Sequence, residues 1–228
     1  AMFLWRETHT DSPLIGLSIF THIRFTITLS TMLLLFIAMS AGMVMTPFFL
    51  EEILRLGPGQ VGLILMTPPV CTLLIAPLSG RLSDAIGDRL LTTVGLVLVI
   101  TGMFLFATLG AHSRPFDVIW RLIVMGSGTA IFASPNSSAM LSAIPRKFLG
   151  IASCLQATAR NLGMTAGVAV ATAVFAFRRD LYQETAGPVE AFVHAFRWVI
   201  IAFAVLAVVA LLVSLLRIKQ PAPSRDQD

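Results

Sequence analysis

The sequence predicts an all-α membrane protein with six transmembrane helices. Five long stretches contain no charged residue, and a sixth, residues 148–177, contains only Arg160. A bilayer core about 30 Å thick is crossed by roughly 20 apolar residues of α-helix, and the stretches have that length. Hydrophobic residues make up 56% of the chain and charged residues 12%, against about 45–50% and about 25% in soluble domains. We therefore expect the function to reside in polar groups within or beside a bilayer.

The predicted spans follow one another along the whole chain. They cover residues 25–50, 59–80, 89–111, 118–142, 150–177 and 195–217. Residues 1–24 are expected to form a cytoplasmic connector, and residues 218–228 a cytoplasmic tail. Nine Lys and Arg residues lie in the segments on the side of the two termini, and six lie in the segments opposite. Because basic residues collect on the cytoplasmic side, this bias predicts a multi-pass protein of the cell (inner) membrane with both termini inside.

Prolines and glycines interrupt these spans. Prolines at positions 47, 68, 69, 77 and 135 predict either simple kinks or dedicated hinges. Gly163 and Gly167 have the small-xxx-small spacing that is typical of close helix packing. The first and fourth spans each contain a glycine followed by a proline, and three spans lie on either side of the third loop. This arrangement favours two three-helix repeats of inverted topology.

A short polar connection between the second and third spans is the most informative motif. Residues 80–89 read Gly-Arg-Leu-Ser-Asp-Ala-Ile-Gly-Asp-Arg. Asp84 could face a helix N-terminus, where a carboxylate is stabilised by about 0.3–1 kcal/mol. Arg89 could pair with Asp84 or bind anionic lipid headgroups. From these residues alone, a solvated turn with cytoplasmic basic residues is an equally good interpretation.

The connection resembles a sequence motif of the major facilitator superfamily, G-x-L-[AS]-D-[RK]-x-G-[RK]-[RK]. The matching residues are Gly80, Leu82, Ser83, Asp84, Gly87 and Arg89. Ala85 and Asp88 depart from the motif, since each replaces a basic residue. The resemblance implies a gating loop, formed by Gly80, Asp84, Gly87 and Arg89, that holds two lobes together on the cytoplasmic side.

Three further segments are similar to fourteen-helix drug:proton antiporters of this superfamily. They are residues 3–15, 126–136 and 145–167. The resemblance implies one six-helix lobe, the C-terminal one, of an exporter of drugs or small amphipathic compounds that works against proton entry by alternating access. It also implies an N-terminal lobe as partner, supplied by the same chain, by a split partner or by a second copy.

Polar residues inside the spans are the candidates for a substrate-cavity or inter-lobe site. Arg160 is the single charge within an apolar span, and Gln156 lies one turn before it. A charge at this depth costs at least about 2.5–3.5 kcal/mol unless it reaches water or a partner. The pair predicts a polar stripe facing a cavity or another lobe, with snorkelling to the surface as the alternative. Asn136 could line the cavity or bond across helices.

Other features are expected to be structural. Methionines of the first span favour a lipid-facing surface over a pocket for lipophilic cations, and Glu51 and Glu52 favour a solvated helix end over a gate contact. No Asp or Glu lies inside a predicted span, so we do not expect this chain alone to couple transport to protons. We expect no catalytic residue, metal site, cofactor or nucleic-acid partner. The competing functional hypothesis is a non-transporting membrane subunit or truncated fragment packed against another membrane protein.

Overall fold

A computed structural model describes residues 17–183 and 187–216, and these form six long helices that follow a short 3-10 turn at Leu17–Thr21. The helices are α1 (Ile23–Phe48, continued by a π-helical turn at Phe49–Ile53), α2 (Pro58–Leu65 and Thr67–Ile86), α3 (Asp88–Ala107), α4 (Pro115–Ser142), α5 (Leu149–Gln183) and α6 (Pro188–Leu216). Within the described residues, six helical stretches are long and apolar enough to cross a membrane. The predicted all-α, six-helix fold class is confirmed.

Several helices extend beyond the apolar stretches that predicted them. α5 continues to Gln183 and α6 begins at Pro188, whereas the predicted spans stop at 177 and start at 195. α4 likewise begins at Pro115, where the Asp117 carboxylate accepts a 2.7 Å hydrogen bond from the Arg114 backbone N–H. Charged residues end a hydrophobic stretch without ending a helix, whereas proline is favoured at the first helical position. Proline and caps therefore mark these boundaries better than charge does.

The packing of the helices has a two-fold pattern. α1 packs against α5 and α6, and α4 packs against α2 and α3 in the corresponding way, while α3 and α6 contact each other. Exchanging α1–α3 with α4–α6 reproduces these pairs. This arrangement supports the two three-helix repeats that the sequence predicts.

Close contacts between helices occur at glycines, among them Gly167, which the small-xxx-small spacing predicted. A Cβ atom added to Gly167 of α5 would lie 2.6 Å from the Ile37 carbonyl oxygen of α1. A Cβ atom on Gly128 of α4 would lie 2.7 Å from the Val99 backbone nitrogen of α3. Distances this short exclude a side chain, so glycine lets the two pairs of helices approach closely.

Exposure differs strongly among the six helices. Only 17% of the most apolar part of α2 and 22% of that of α5 are buried, against 39% to 50% for the other four. α3 and α6 pack together, and phenylalanines from α1, α3 and α6 meet there in tilted pairs at centroid distances of 5.0 Å and 5.6 Å. α2 and α5 therefore present the largest faces that the described residues leave uncovered.

Candidate functional site

A cavity of about 400 Å³ is lined by described residues of four helices, and none of these residues belongs to α3 or α6. It lies between α1, α2 and α4, and α5 contributes one residue, Met164. The other lining residues are Phe36, Met39, Ser40, Gly42, Met43 and Thr46 of α1, Leu65, Pro68 and Pro69 of α2, and Leu122, Met125, Gly126 and Thr129 of α4. Cavities of this size accommodate small organic molecules.

Paired prolines shape one wall of the cavity. α2 is interrupted at Met66, directly before Thr67, Pro68 and Pro69. Because proline has no N–H, Pro68 and Pro69 cannot donate the helical hydrogen bonds that would reach the carbonyl groups of Ile64 and Leu65. Close packing holds the break in place, since a Cβ atom on Gly126 of α4 would lie 3.0 Å from Pro68 Cα. Interrupted helices are a recurrent feature of binding sites in membrane transporters.

The hydroxyl groups that line the cavity share one bonding pattern. Each donates its hydrogen to a carbonyl of its own helix: Ser40 to Ile37 at 2.6 Å, Thr46 to Gly42 at 2.5 Å and Thr129 to Met125 at 2.9 Å. A hydroxyl has one hydrogen to donate and two lone pairs to accept with, so only acceptor capacity remains. Among the lining residues described, none bears a formal charge. The cavity is thus apolar, with a few acceptors and no spare hydroxyl donor.

Flexible and polarisable side chains make up much of the remaining wall. Met39, Met43, Met125 and Met164 line the cavity together with the ring of Phe36. The interpretation of the first-span methionines as a lipid-facing surface is incomplete, because Met39 and Met43 face this cavity and Met32 and Met45 are buried. Methionine side chains adapt to ligands of different shape, as in promiscuous binding surfaces.

The polar residues predicted for the site lie outside this lining. Gln156 of α5 donates a short hydrogen bond from Nε2 to Ser137 Oγ of α4. Ser137 directly follows Asn136 in the sequence. Asn136 is only 2% exposed, and its Nδ2 has no protein partner. Arg160 is exposed on α5, one turn before Met164, and makes no hydrogen bond or ion pair with any described residue. The three therefore form no common cluster with the cavity wall.

The predicted gating loop is mostly helix. α2 continues through Ile86, so Gly80 and Asp84 lie within it, and Gly87 alone separates α2 from α3. Gly87 has a φ of 91°, a conformation in which side chains other than hydrogen are strained. A Cβ atom on Gly80 would lie 3.1 Å from Ser134 Oγ of α4. Arg89 is exposed in the first turn of α3. The motif therefore forms the helix end and tight turn between α2 and α3.

One charged pair, at the end of the bundle opposite the α2–α3 turn, was not predicted from the sequence. Glu52 accepts hydrogen bonds of 3.0 Å and 3.3 Å from the Arg179 guanidinium, which joins the end of α1 to that of α5. The guanidinium also lies 5.7 Å from the Phe192 ring centroid and 5.9 Å from that of Phe175. The two partners are 127 residues apart, so sequence spacing carried no signal for the contact. Glu52 is a paired residue, which corrects the expected solvated helix end.

Two arginines at this same end stabilise the last turn of α3. Arg121 of α4 donates to the Leu105 carbonyl at 2.8 Å, and Arg197 of α6 donates to the Ala107 carbonyl at 3.2 Å. The last carbonyls of a helix lack intrahelical donors and carry partial negative charge. These arginines therefore have a structural role within the bundle.

Comparison with known proteins assigns the family. Residues 24–228 match the model of the Major Facilitator Superfamily. The chain is 31% identical over 219 residues to an uncharacterised transporter, YebQ, of Escherichia coli, which covers 96% of this chain and 45% of that protein. It is 29% identical to the riboflavin transporter RibZ of Clostridioides difficile, over 83% of this chain and 42% of RibZ. It is 27% identical to the multidrug resistance protein Stp of Mycobacterium tuberculosis, over 77% of this chain and 33% of Stp.

The six long apolar helices define a polytopic membrane protein. The chain belongs to the Major Facilitator Superfamily. It spans less than half the length of these relatives.

Proposed function

We propose that the chain forms one lobe of an exporter of small amphipathic compounds, and that the cavity is this lobe's share of the substrate site. The observation on which the proposal depends is the apolar, acceptor-lined cavity between α1, α2 and α4. None of its described lining residues belongs to α3 or α6, and a second lobe packed on the exposed faces of α2 and α5 could close it. The name of one relative, the multidrug resistance protein Stp, supports export of drugs.

The bonding pattern of the cavity favours neutral or cationic substrates. Acceptor lone pairs, thioether sulfurs and an aromatic ring face all interact well with hydrogen-bond donors or with delocalised positive charge. An anion would lose its hydration and meet no donor or positive charge among the lining residues, which is a large unfavourable free energy. The proposed substrates are therefore apolar molecules that bear donors or a positive charge.

Proton coupling would need a group from outside this lobe. The carboxylates placed by the described helices lie at their ends: Glu51, Glu52, Asp84, Asp88, Asp117, Asp180 and Glu190. A proton carrier in an antiporter is usually a carboxylate within the membrane. We propose that a second lobe, from the same chain, a split partner or a second copy, supplies that group and completes the alternating-access unit.

The count of basic residues supports the proposed orientation, with both termini in the cytoplasm. Nine Lys and Arg residues lie in the segments on the side of the termini, and six lie in the segments opposite. Basic residues collect on the cytoplasmic side of membrane proteins.

In this arrangement the α2–α3 turn lies on the cytoplasmic side, where Asp84 and Arg89 would contact the second lobe. Arg160 and Gln156 would lie on the exposed face of α5, between the cavity and the cytoplasm. A guanidinium at this depth needs water or an acidic partner, and a second lobe could supply either.

Flux measurements test the proposal against the non-transporting alternative. The protein, in the assembly isolated from its native membrane, is reconstituted in vesicles, and export of a lipophilic dye is followed by fluorescence. We expect Asp84→Asn and Arg160→Ala to reduce flux at least about tenfold, corresponding to about 1.4 kcal/mol, while Arg114→Ala at the opposite end leaves it unchanged. Wild-type flux at the level of empty vesicles, or full flux in both variants, would favour the structural subunit.

A further inference from the structure

Four of the chain's ten methionines converge on the cavity from three helices. Met39 and Met43 lie one turn apart on α1, Met125 lies on α4, and Met164 lies on α5. Besides its flexibility, methionine brings a thioether sulfur to the cavity wall, and this sulfur is a soft and polarisable ligand.

Two of these methionines lie where α1 and α4 pack together. The Met39 sulfur lies 3.8 Å from Thr129 Oγ1, one turn along α4 from Met125. A Cβ atom on Gly42 would lie 3.2 Å from the Met125 terminal methyl carbon, so Met125 reaches α1 between the turns that hold Met39 and Met43. Met125 is 3% exposed, and its Cγ also packs against Gly102 of α3.

We propose that this methionine cluster, Met39, Met43, Met125 and Met164, is a binding site for a soft monovalent metal ion of the Cu(I) or Ag(I) type. Thioether ligands select soft ions such as Cu(I), whereas Mg²⁺ and Ca²⁺ require oxygen ligands. Within the described residues no group of three or more His, Cys, Asp and Glu side chains is placed to hold a metal. The apolar wall lets neutral thioethers replace the weakly held hydration shell of a large monovalent ion without proton loss.

Cys71 requires separate treatment, because its thiol is close to the cavity. A Cβ atom on Gly126, a lining residue, would lie 3.2 Å from Cys71 Cβ, and Cys154 is exposed on α5. Either thiol could bind Ag(I) by itself as a thiolate. The parent protein for the test is therefore the Cys71→Ala, Cys154→Ala variant.

Isothermal titration with silver nitrate, in chloride-free buffer and detergent, tests the proposal. We expect the cysteine-free chain to bind one Ag(I) per protein, and Met39→Leu with Met125→Leu to weaken binding at least about a hundredfold, since loss of outer-shell partners alone costs about 10–100-fold. Leucine keeps nearly the same volume, so the melting temperature should change little. Met140→Leu, a buried methionine at the other end of α4, is the matched control and should bind like the parent.

A second pair of methionine substitutions keeps the test valid if the first double variant misfolds. Met43→Leu with Met164→Leu changes less buried side chains and should also weaken binding. Affinity should be independent of pH between about 5 and 8, because a thioether has no proton to release, whereas thiolate binding strengthens as pH rises.

Loss of Ag(I) binding in the cysteine-free parent, or unchanged binding in both methionine pairs, would overturn the proposal. The test is independent of the proposed export function, because amphipath binding and flux are measured on wild-type protein without silver. Binding of Ag(I) without any export would support the metal site and contradict the proposed export function.

Discussion

Gly87 decides how α2 and α3 are joined. With a φ of 91° and a ψ of 147°, this residue reverses the chain in a single step between two helices. The position has open space around it, so the constraint comes from the backbone alone. Conformations close to this region are almost restricted to glycine and cost other residues about 1–3 kcal/mol.

Gly87→Ala should therefore lower the free energy of unfolding in detergent by about 1–3 kcal/mol. Gly110→Ala is the matched control, since Gly110 also lies in a turn with open space and has no positive φ. Equal melting temperatures for the two variants would show that the turn relaxes and that Gly87 is not required by its conformation.

Single residues also show how far sequence can locate a site. The sequence predicted that Arg160, Gln156 and Asn136 were unusual, because polar groups in apolar spans are rare. It could not show that Gln156 bonds Ser137 across two helices or that Asn136 is buried while Arg160 is exposed. Which face of a helix meets a neighbour depends on packing between distant segments. The pocket for lipophilic cations was ranked below a lipid-facing surface for the same reason, since its methionines resemble ordinary lipid-facing residues.

Among the helices, α1 and α5 are held together at two different levels. Glycines permit backbone contact near the middle, where Gly163 and Gly167 of α5 approach Leu33 and Ile37 of α1. The Glu52–Arg179 pair joins the ends, and Glu52 lies within the π-helical turn at Phe49–Ile53. Both helices contribute to the cavity, so these contacts fix its width. Spacing alone predicted the glycine contact, because the motif is local, but the ion pair required the fold.

A double-mutant cycle on Glu52→Gln and Arg179→Gln should give a coupling free energy of about 0.5–1 kcal/mol, falling as salt is raised. The side chains of Arg179 and Glu52 are 30% and 40% exposed, which keeps the value near that of surface pairs. The cycle removes the separate contribution of Arg179 stacking on Phe192. Glu51→Gln in place of Glu52→Gln is the control, and equal coupling for both would exclude a specific pair.

At the scale of the whole bundle, the described helices differ in how much apolar surface they leave uncovered. α3 and α6 pack together, whereas α2 and α5 leave most of their apolar surface uncovered. Six spans, a two-fold packing pattern and the family were predictable, because hydrophobic length and a local motif determine them. The cavity and its acceptor-only chemistry were not, since they arise where four helices from both repeats meet.

Equilibrium dialysis of two ions of matched shape and opposite charge, tetraphenylphosphonium and tetraphenylborate, tests the central claim most directly. The wild-type chain is compared with Met43→Trp plus Met164→Trp, which fills the cavity, and with Leu73→Trp on the exposed face of α2. We expect the filled variant to lose cation binding at least about tenfold, corresponding to about 1.4 kcal/mol, and Leu73→Trp to keep it. The anion should show no binding that depends on the cavity. Cation binding that survives filling, or anion binding of equal strength that filling abolishes, would contradict a substrate cavity with this chemistry.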